Sequence, residues 1–264
     1  LVLFGLTLFV GIFSAYSYTP LIEKSVLEPQ ILSWNDIVIF IAIFTVLSLV
    51  FLKFKKLSGF LLKIFLVLVV FSGSQIVFWS LVNSPWDLVW ALGIAAFFLL
   101  VHNVLVHNIA VMIGIAGVSS LLGVTISPEV GIILLVILSF YDIVAVYWTK
   151  HMVYLARGMV ESGAIFGFVI PFELKDIFSH KNEAREKMGE KFMILGSGDI
   201  GLPLIMASSV AVVSIGQAIV VALFSLVGLL FTHLIFINQT SRKPMAALPP
   251  IAAMTIIGYL VSLL

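Results

Sequence analysis

Apolar residues in this chain fall in long unbroken runs, not in the alternation of a half-buried strand or the one-sided stripe of a soluble helix. The runs are about 17–24 residues long, the length at which a helix crosses a hydrocarbon core of roughly 30 Å. Nine spans are expected, near 1–19, 35–52, 60–82, 86–101, 106–126, 129–149, 192–213, 215–237 and 246–264. Strands of a membrane barrel would instead alternate over about 10 residues each. Breakers separate several spans. Pro20 and Pro29 fall in the first loop and Asn83-Ser84-Pro85 in the third. Ser127-Pro128-Glu129 reads as a helix start, with an N-cap serine, proline at the first helical position and an acid in the first turn. The expected fold class is an all-α polytopic membrane protein, without internal repeats.

Residues 150–191 form the one long stretch between spans. They divide the chain into a six-span part (1–158), a cytoplasmic loop (159–191) and a three-span part (192–264). Within the loop, His151–Met159 can continue the sixth helix along the membrane surface, and Glu161–Pro171 is apolar but too short to span. Lys175–Lys191 alternates charges and is expected to be solvated or mobile.

Composition agrees with the pattern. The chain is 62% hydrophobic and 10% charged, with a mean hydropathy of +1.23, far from any soluble domain. A net charge of +1 points to no nucleic-acid partner, and the absence of cysteine excludes disulfides, thiolate nucleophiles and cysteine-ligated zinc. The first apolar run starts at Leu1 and lacks a signal peptide's basic lead and A-x-A-like cleavage site; we read it as a span whose cytoplasmic lead has been trimmed. With nine spans, one side of the membrane carries Lys53, Lys55, Lys56 and Lys63, then Lys150, Arg157, Lys175, Lys181, Arg185, Lys187 and Lys191, then Arg242 and Lys243. The other side carries Lys24 alone. The positive-inside rule then makes the N-terminus and the 150–191 loop cytoplasmic and the C-terminus extracytoplasmic. Trp34, Trp79, Trp86, Trp90 and Trp148 fall near span ends, as an interfacial belt does.

Against this background two acidic residues stand out. Asp142 lies inside 132–148 and Asp199 inside 192–215. An ionised carboxylate at the centre of a membrane helix costs about 2.5–3.5 kcal/mol even on lenient scales, so such residues mark function by default. Asp142 is eight residues before Lys150 and Asp199 eight after Lys191. At 1.5 Å per residue both sit roughly 12 Å in from the cytoplasmic face, and antiparallel helices bring them to one level. Gly196-Ser197-Gly198 supplies small residues before Asp199, where backbone can approach a substrate. Pro203 deprives the Asp199 carbonyl of its helical donor and is expected to loosen the start of the seventh helix. Tyr141 can hydrogen-bond near the pair or pack in a substrate groove.

Paired carboxylates of this kind suit two chemistries. They can share a proton and activate a water, as aspartic proteases do, or coordinate and relay cations, as transporters do. A lone intramembrane Asp can also merely bond a neighbouring helix. A third element is Ala246-Ala247-Leu248-Pro249-Pro250, opening the ninth span on the same cytoplasmic side. Taken alone it is a proline-rich helix start.

Tyr141-Asp142, Gly196-Ser197-Gly198-Asp199 and Ala247-Leu248-Pro249 together resemble the three signatures of the presenilin and signal peptide peptidase family of intramembrane aspartyl proteases. Tyr141-Asp142-Ile143-Val144-Ala145-Val146 is similar to the presenilin form and Asp199-Ile200-Gly201-Leu202-Pro203 to the signal peptide peptidase form. The mixture and the compact chain resemble an archaeal presenilin homologue. The similarity is clear over Ile132–Leu264, and the first four spans match in number and length. It departs at Ala246, where the family motif opens with proline. The resemblance implies nine spans, Asp142 and Asp199 as the catalytic pair, and Ala247, Leu248 and Pro249 shaping the site. It implies a prokaryotic cell membrane, no cofactor, and single-span membrane proteins as substrates, unwound before cleavage. The charge-derived orientation matches presenilins, not the inverted signal peptide peptidases. The pair titrates as a unit and the expected pH profile is a bell.

Other polar residues are discounted. His102 and His107 are five apart, about 140° on a helix, and do not share a face for a metal; both are expected at the interface. His233 is read as interfacial or interhelical, and the Asn238-Gln239-Thr240 sequon is on the expected cytoplasmic side.

Overall fold

The computed structural model describes residues 1–23, 39, 42, 55–82, 84–239 and 244–264. The expected span at 35–52 lies outside the described residues but for two positions, as do Lys24, Pro29, Lys53, Arg242 and Lys243. The described helices are α1 (Val2–Glu23), α2 (Lys55–Trp79), α3 (Trp86–Leu100), α4 (Val104–Val124), α5 (Pro128–Ile143), α6 (His151–Ser162), α7 (Lys181–Glu186), α8 (Ser197–Val213), α9 (Ile215–Ile237) and α10 (Leu248–Ser262). Val2–Pro20, Gly59–Trp79, Val104–Val124, Pro128–Trp148 and Ile215–Ile237 are long and apolar enough to cross a membrane; α3, α8 and α10 are shorter apolar helices. Pro20, expected in a loop, lies inside the last turns of α1.

The bundle is organised around α4. Of its apolar window 67% is buried, against 28% for the spans of α2, α5 and α9. Helices α1, α2 and α8 pack around it, α5 packs on α8, and α9 pairs along α10. Exposed Phe9, Phe60, Leu92, Phe140 and Leu223 on the outer helices suit a lipid solvent. Lipid tails give no hydrophobic drive between helices, so close backbone approach must hold the bundle. At the α2–α4 crossing, a Cβ on Gly117 would stand 1.9 Å from the Gly73 carbonyl oxygen, and one on Gly73 2.1 Å from that of Gly114. Both are backbone atoms and cannot swing aside. Gly117→Ala should therefore destabilise the fold by about 1–3 kcal/mol or more. Thermal unfolding in detergent checks this; an unchanged midpoint would show that the crossing is looser.

Residues 150–191 fold more fully than the charge pattern implies. Lys150 takes a left-handed conformation, φ 56°, which breaks the chain between α5 and α6. Helix α6 then runs along the surface with no buried residue. The short apolar stretch becomes strand β1 (Gly167–Pro171), paired antiparallel with β2 (Phe192–Gly196) in the register Gly167↔Gly196 to Pro171↔Phe192. The expected span at 192 thus begins as a strand, and its helix starts at Ser197. Gly-Ser-Gly is poor helix sequence, and β1 offers pairing to the backbone just before it. Gly167 (φ 148°) admits no side chain, since a Cβ there would stand 2.1 Å from the Leu195 carbonyl oxygen.

The charged stretch expected to be solvated is docked. A 3₁₀ turn, Leu174–Phe178, leads into α7. The Val104 N–H donates to the Ser179 carbonyl (3.0 Å) and the Lys181 N–H to the His102 carbonyl (2.9 Å), tying the loop to the start of α4. Lys181 Nζ sits 5.1 Å from the centre of the Phe98 ring. Burial, with Arg185 and Lys63 close by, lowers its ammonium to about 8. Arg185 Nε donates to the Val160 carbonyl (2.7 Å), and its guanidinium also reaches the Glu161 carbonyl, so α7 closes the end of α6. Glu173 pairs with Lys175 and Glu183 with Lys187 as ions. The stretch is anchored by backbone bonds and by Ala184, fully buried, features that a charge pattern does not display.

Candidate active site

Asp142 is the penultimate residue of α5 and is 7% exposed. Directly after it the helix widens into a π-helical turn, Val144–Trp148, closed by the Thr149 N–H on the Val144 carbonyl at 3.0 Å. Such one-turn widenings recur at functional sites. The carboxylate meets the start of α10: the Leu248 N–H donates to Asp142 Oδ2 over 3.4 Å, a long hydrogen bond. Ala247 is the N-cap of α10, and Pro249 and Pro250 follow Leu248. A proline has no N–H, so in the first three helical positions Leu248 alone offers a donor. The positive end of the helix faces the carboxylate as well.

Helix α10 has little freedom to shift. A Cβ on Gly228 of α9 would stand 2.7 Å from Ile251 Cα and 2.9 Å from the Pro250 carbonyl oxygen. The hydroxyls of Ser225 and Thr255 are 2.8 Å apart, and Thr232 Oγ1 donates to the Gly228 carbonyl (3.0 Å) and toward that of Ala247 (3.4 Å). The proline-rich segment is both a helix start and a wall against Asp142.

Asp199 lies in the first turn of α8 and is partly exposed. Its Oδ2 would be 3.2 Å from a Cβ on Gly196, so the absence of a side chain there admits the carboxylate. Gly198 is exposed with open space around it. The Ser197 N–H donates to the Phe166 carbonyl at 3.2 Å, fixing the helix start to the residue preceding β1. Pro203 lies inside α8, which continues through it. The donor it lacks would have served the Asp199 carbonyl, which is left without its i+4 helical partner. Helix α5, which ends just past Asp142, packs on α8, whose first turn carries Asp199. The fold thus sets Asp142 against Leu248 and Asp199 against Gly196 at the adjoining ends of two packed helices.

The hydroxyl of Tyr141, next to Asp142, is 2.9 Å from His151 Nε2, and His151 Nδ1 is 2.6 Å from Thr149 Oγ1, bridging the break at Lys150. A cavity of about 180 Å³ lies behind the start of α8, lined by Leu66, Val70, Ile115, Phe166, Gly167 and Ser197 among others.

Three buried polar residues escape the sequence reading. His107, expected at the interface, is 1% exposed inside the bundle, with Nε2 3.1 Å from the Gly167 carbonyl oxygen. Asn108 is fully buried on β1: Nδ2 donates to the Val169 carbonyl and Oδ1 accepts from the Val169 N–H, both at 2.8 Å. The available signal was a polar pair one turn inside an apolar run. Asp87, in the first turn of α3, is 3% exposed, and its Oδ1 has no partner among the described residues. His102 and His233 are exposed, as expected of interfacial side chains.

The comparisons with known proteins agree with this geometry. A model of the family described as signal-peptide peptidase, presenilin aspartyl protease matches residues 20–264. Among solved structures, a presenilin family intramembrane aspartate protease in space group P2 is similar at TM-score 0.63 and 24% identity, covering 98% of this chain and 96% of that one. The structure of such a protease in space group C222 is similar at TM-score 0.60 and 22% identity, covering 98% and 94%. At these identities the likeness is one of fold. No curated protein sequence matches the chain. With the family match running from residue 20 to the last residue, this chain belongs to the signal-peptide peptidase and presenilin family of intramembrane aspartyl proteases.

Proposed function

We propose that Asp142 and Asp199 are the catalytic dyad and that the protein hydrolyses peptide bonds within the transmembrane segments of single-span membrane proteins. The observation that supports this reading is two intramembrane carboxylates at the loop-side ends of the packed helices α5 and α8, one beside Gly196 and the other under the Leu248 N–H. In this mechanism one carboxyl is protonated and the other ionised. The ionised one takes a proton from water as its oxygen attacks the scissile carbonyl carbon. The protonated one donates to the carbonyl oxygen, giving a tetrahedral diol with no covalent enzyme intermediate. A proton then passes to the amide nitrogen as the C–N bond breaks. Gly196 and Gly198 leave room for substrate backbone beside Asp199, Ala247-Leu248-Pro249 forms the opposite wall, and Tyr141 borders the site. No cofactor takes part. A helical substrate hides its carbonyls in hydrogen bonds, so its cleaved segment must be extended when it reaches the dyad.

The reading is tested by incubating the purified protein with a labelled single-span substrate, alongside Asp142→Asn and Asp199→Asn. Cleavage by the parent and none by either variant is expected. No cleavage together with cation flux that persists in one variant would instead favour a transporter.

The reading includes nine spans in a prokaryotic cell membrane, with the N-terminus and the 150–191 loop cytoplasmic and the C-terminus outside, on the strength of the charge asymmetry. A tag between Lys175 and Lys191 should be reachable only from the cytoplasm, and one after Leu264 only from outside. Both tags on one side would require an even number of spans between them and overturn the orientation.

A further inference from the structure

We infer that His107 and Asn108 are positioning residues for Asp199, acting through the β1–β2 hairpin; the inference rests on the dyad reading above. Strand β1 has two edges. One pairs with β2. On the other, the Gly167 carbonyl meets His107 Nε2 (3.1 Å), and both backbone groups of Val169 meet the Asn108 amide (2.8 Å each). Gly167 and Val169 are two apart and so point the same way along a strand. An Asn amide has donor and acceptor side by side, and here it serves β1 as one residue of a third strand would. Val169 and Gly167 are buried in the protein, so these backbone groups would otherwise lack partners out of reach of water. Two adjacent side chains of the most buried helix thus replace an edge strand.

The clamp leads toward the carboxylate by backbone contacts. The Phe166 carbonyl, next to Gly167, accepts from the Ser197 N–H at 3.2 Å, and Gly167 is in register with Gly196, which abuts Asp199 Oδ2. Moving β1 along α4 therefore moves the first turn of α8, and with it Asp199, relative to Asp142 on α5. Because His107 and Asn108 lie on a helix gripped by α1, α2 and α8, they tie the hairpin to the rigid part of the bundle. The side-chain bonds of both residues go to the backbone of β1, so their effect on catalysis is indirect.

The test uses the full chain with four variants: His107→Leu, His107→Gln, Asn108→Leu and Asn108→Asp. A shift of about 1 Å at a reacting group can cost on the order of 100-fold in rate. His107→Leu and Asn108→Leu should lower kcat by roughly that factor with KM changed less than about 3-fold, and should shift the pH profile of kcat, because the spacing of the dyad sets how its proton is shared. His107→Gln, which keeps a donor for the Gly167 carbonyl, should recover most of the rate. Asn108→Asp keeps the acceptor for the Val169 N–H but loses the amide donor, and should fall between Asn108→Leu and the parent. A second readout is independent of proteolysis. The parent has no cysteine, so Cys placed at 142 and 199 can be cross-linked, and adding Asn108→Leu should slow that cross-linking. Unchanged cross-linking with an unchanged pH profile would overturn the inference, even if the variants are less stable. Failure of the dyad reading would show separately, as cleavage surviving Asp142→Asn or Asp199→Asn.

Discussion

Asp142→Ala and Asp199→Ala should each abolish cleavage, and the double variant should be no worse than either single one. The dyad acts as a unit: an ionised carboxylate with no acid opposite cannot protonate the carbonyl oxygen, and an acid with no base cannot take the water's proton. Losses in such units are strongly non-additive, on the order of 10⁴–10⁶ for a single member in a well-studied hydrolase. Both variants should stay folded. Asp142 accepts one long bond, from the Leu248 N–H, and removing a buried carboxyl from a membrane helix relieves a desolvation cost. Turnover of a single-span substrate by purified variants, with unfolding temperatures measured beside it, decides the matter. Substantial turnover by either single variant would end the assignment.

The second large effect is expected at Leu248. Its side chain is 4% exposed and its N–H is the one donor among the first three positions of α10. Leu248→Arg would drive a guanidinium into this packed corner, pair it with Asp142 and hold the dyad in a fixed charge state. The backbone N–H of residue 248 remains, so the loss comes from the buried cation: paired with Asp142, it keeps that carboxylate from exchanging its proton, and general acid–base help is worth about 10²–10⁴ in rate, so cleavage should fall by at least about 10²-fold. Pro249→Ala should act more weakly, since it brings no charge to Asp142 and only relaxes the helix start. A Cys at 248 should cross-link to one at 142. Wild-type turnover by Leu248→Arg would show that the start of α10 is not a wall of the site.

Much of this was legible in the sequence, and the reason differs between features. Length and continuity of apolar runs follow from the bilayer, which leaves helices as the spanning form, so α1, α2, α4, α5 and α9 were readable at once. Asp142 and Asp199 were readable because a charge in an apolar run is an energetic exception that needs no partner to be noticed. The expectation of a common depth came from counting to Lys150 and Lys191. The Ala247-Leu248-Pro249 segment was visible as a cluster of prolines, but its contact with Asp142 spans 106 residues of chain and exists only once α10 packs on α9 and α5.

Residues 150–199 show where local reading stops. A short apolar run and a glycine-rich segment have no fixed conformation of their own. They become β1 and β2 because each supplies the other's backbone partners and because Asn108 closes the outer edge. The charges of Lys175–Lys191 say that the stretch can face water, yet the bonds that tie it to the start of α4 are backbone bonds, which carry no side-chain signature. His107 looks interfacial by its place near a span end, and only the packing of β1 over α4 buries it. The sequence by itself determined the solvent, the helical spans and the two carboxylates, because each is set by the cost of putting polarity into hydrocarbon. The tertiary structure decided which backbone groups meet, what fixes the start of α8 beside β1 and what sets Leu248 against Asp142, because those contacts join segments whose local energies do not choose between partners.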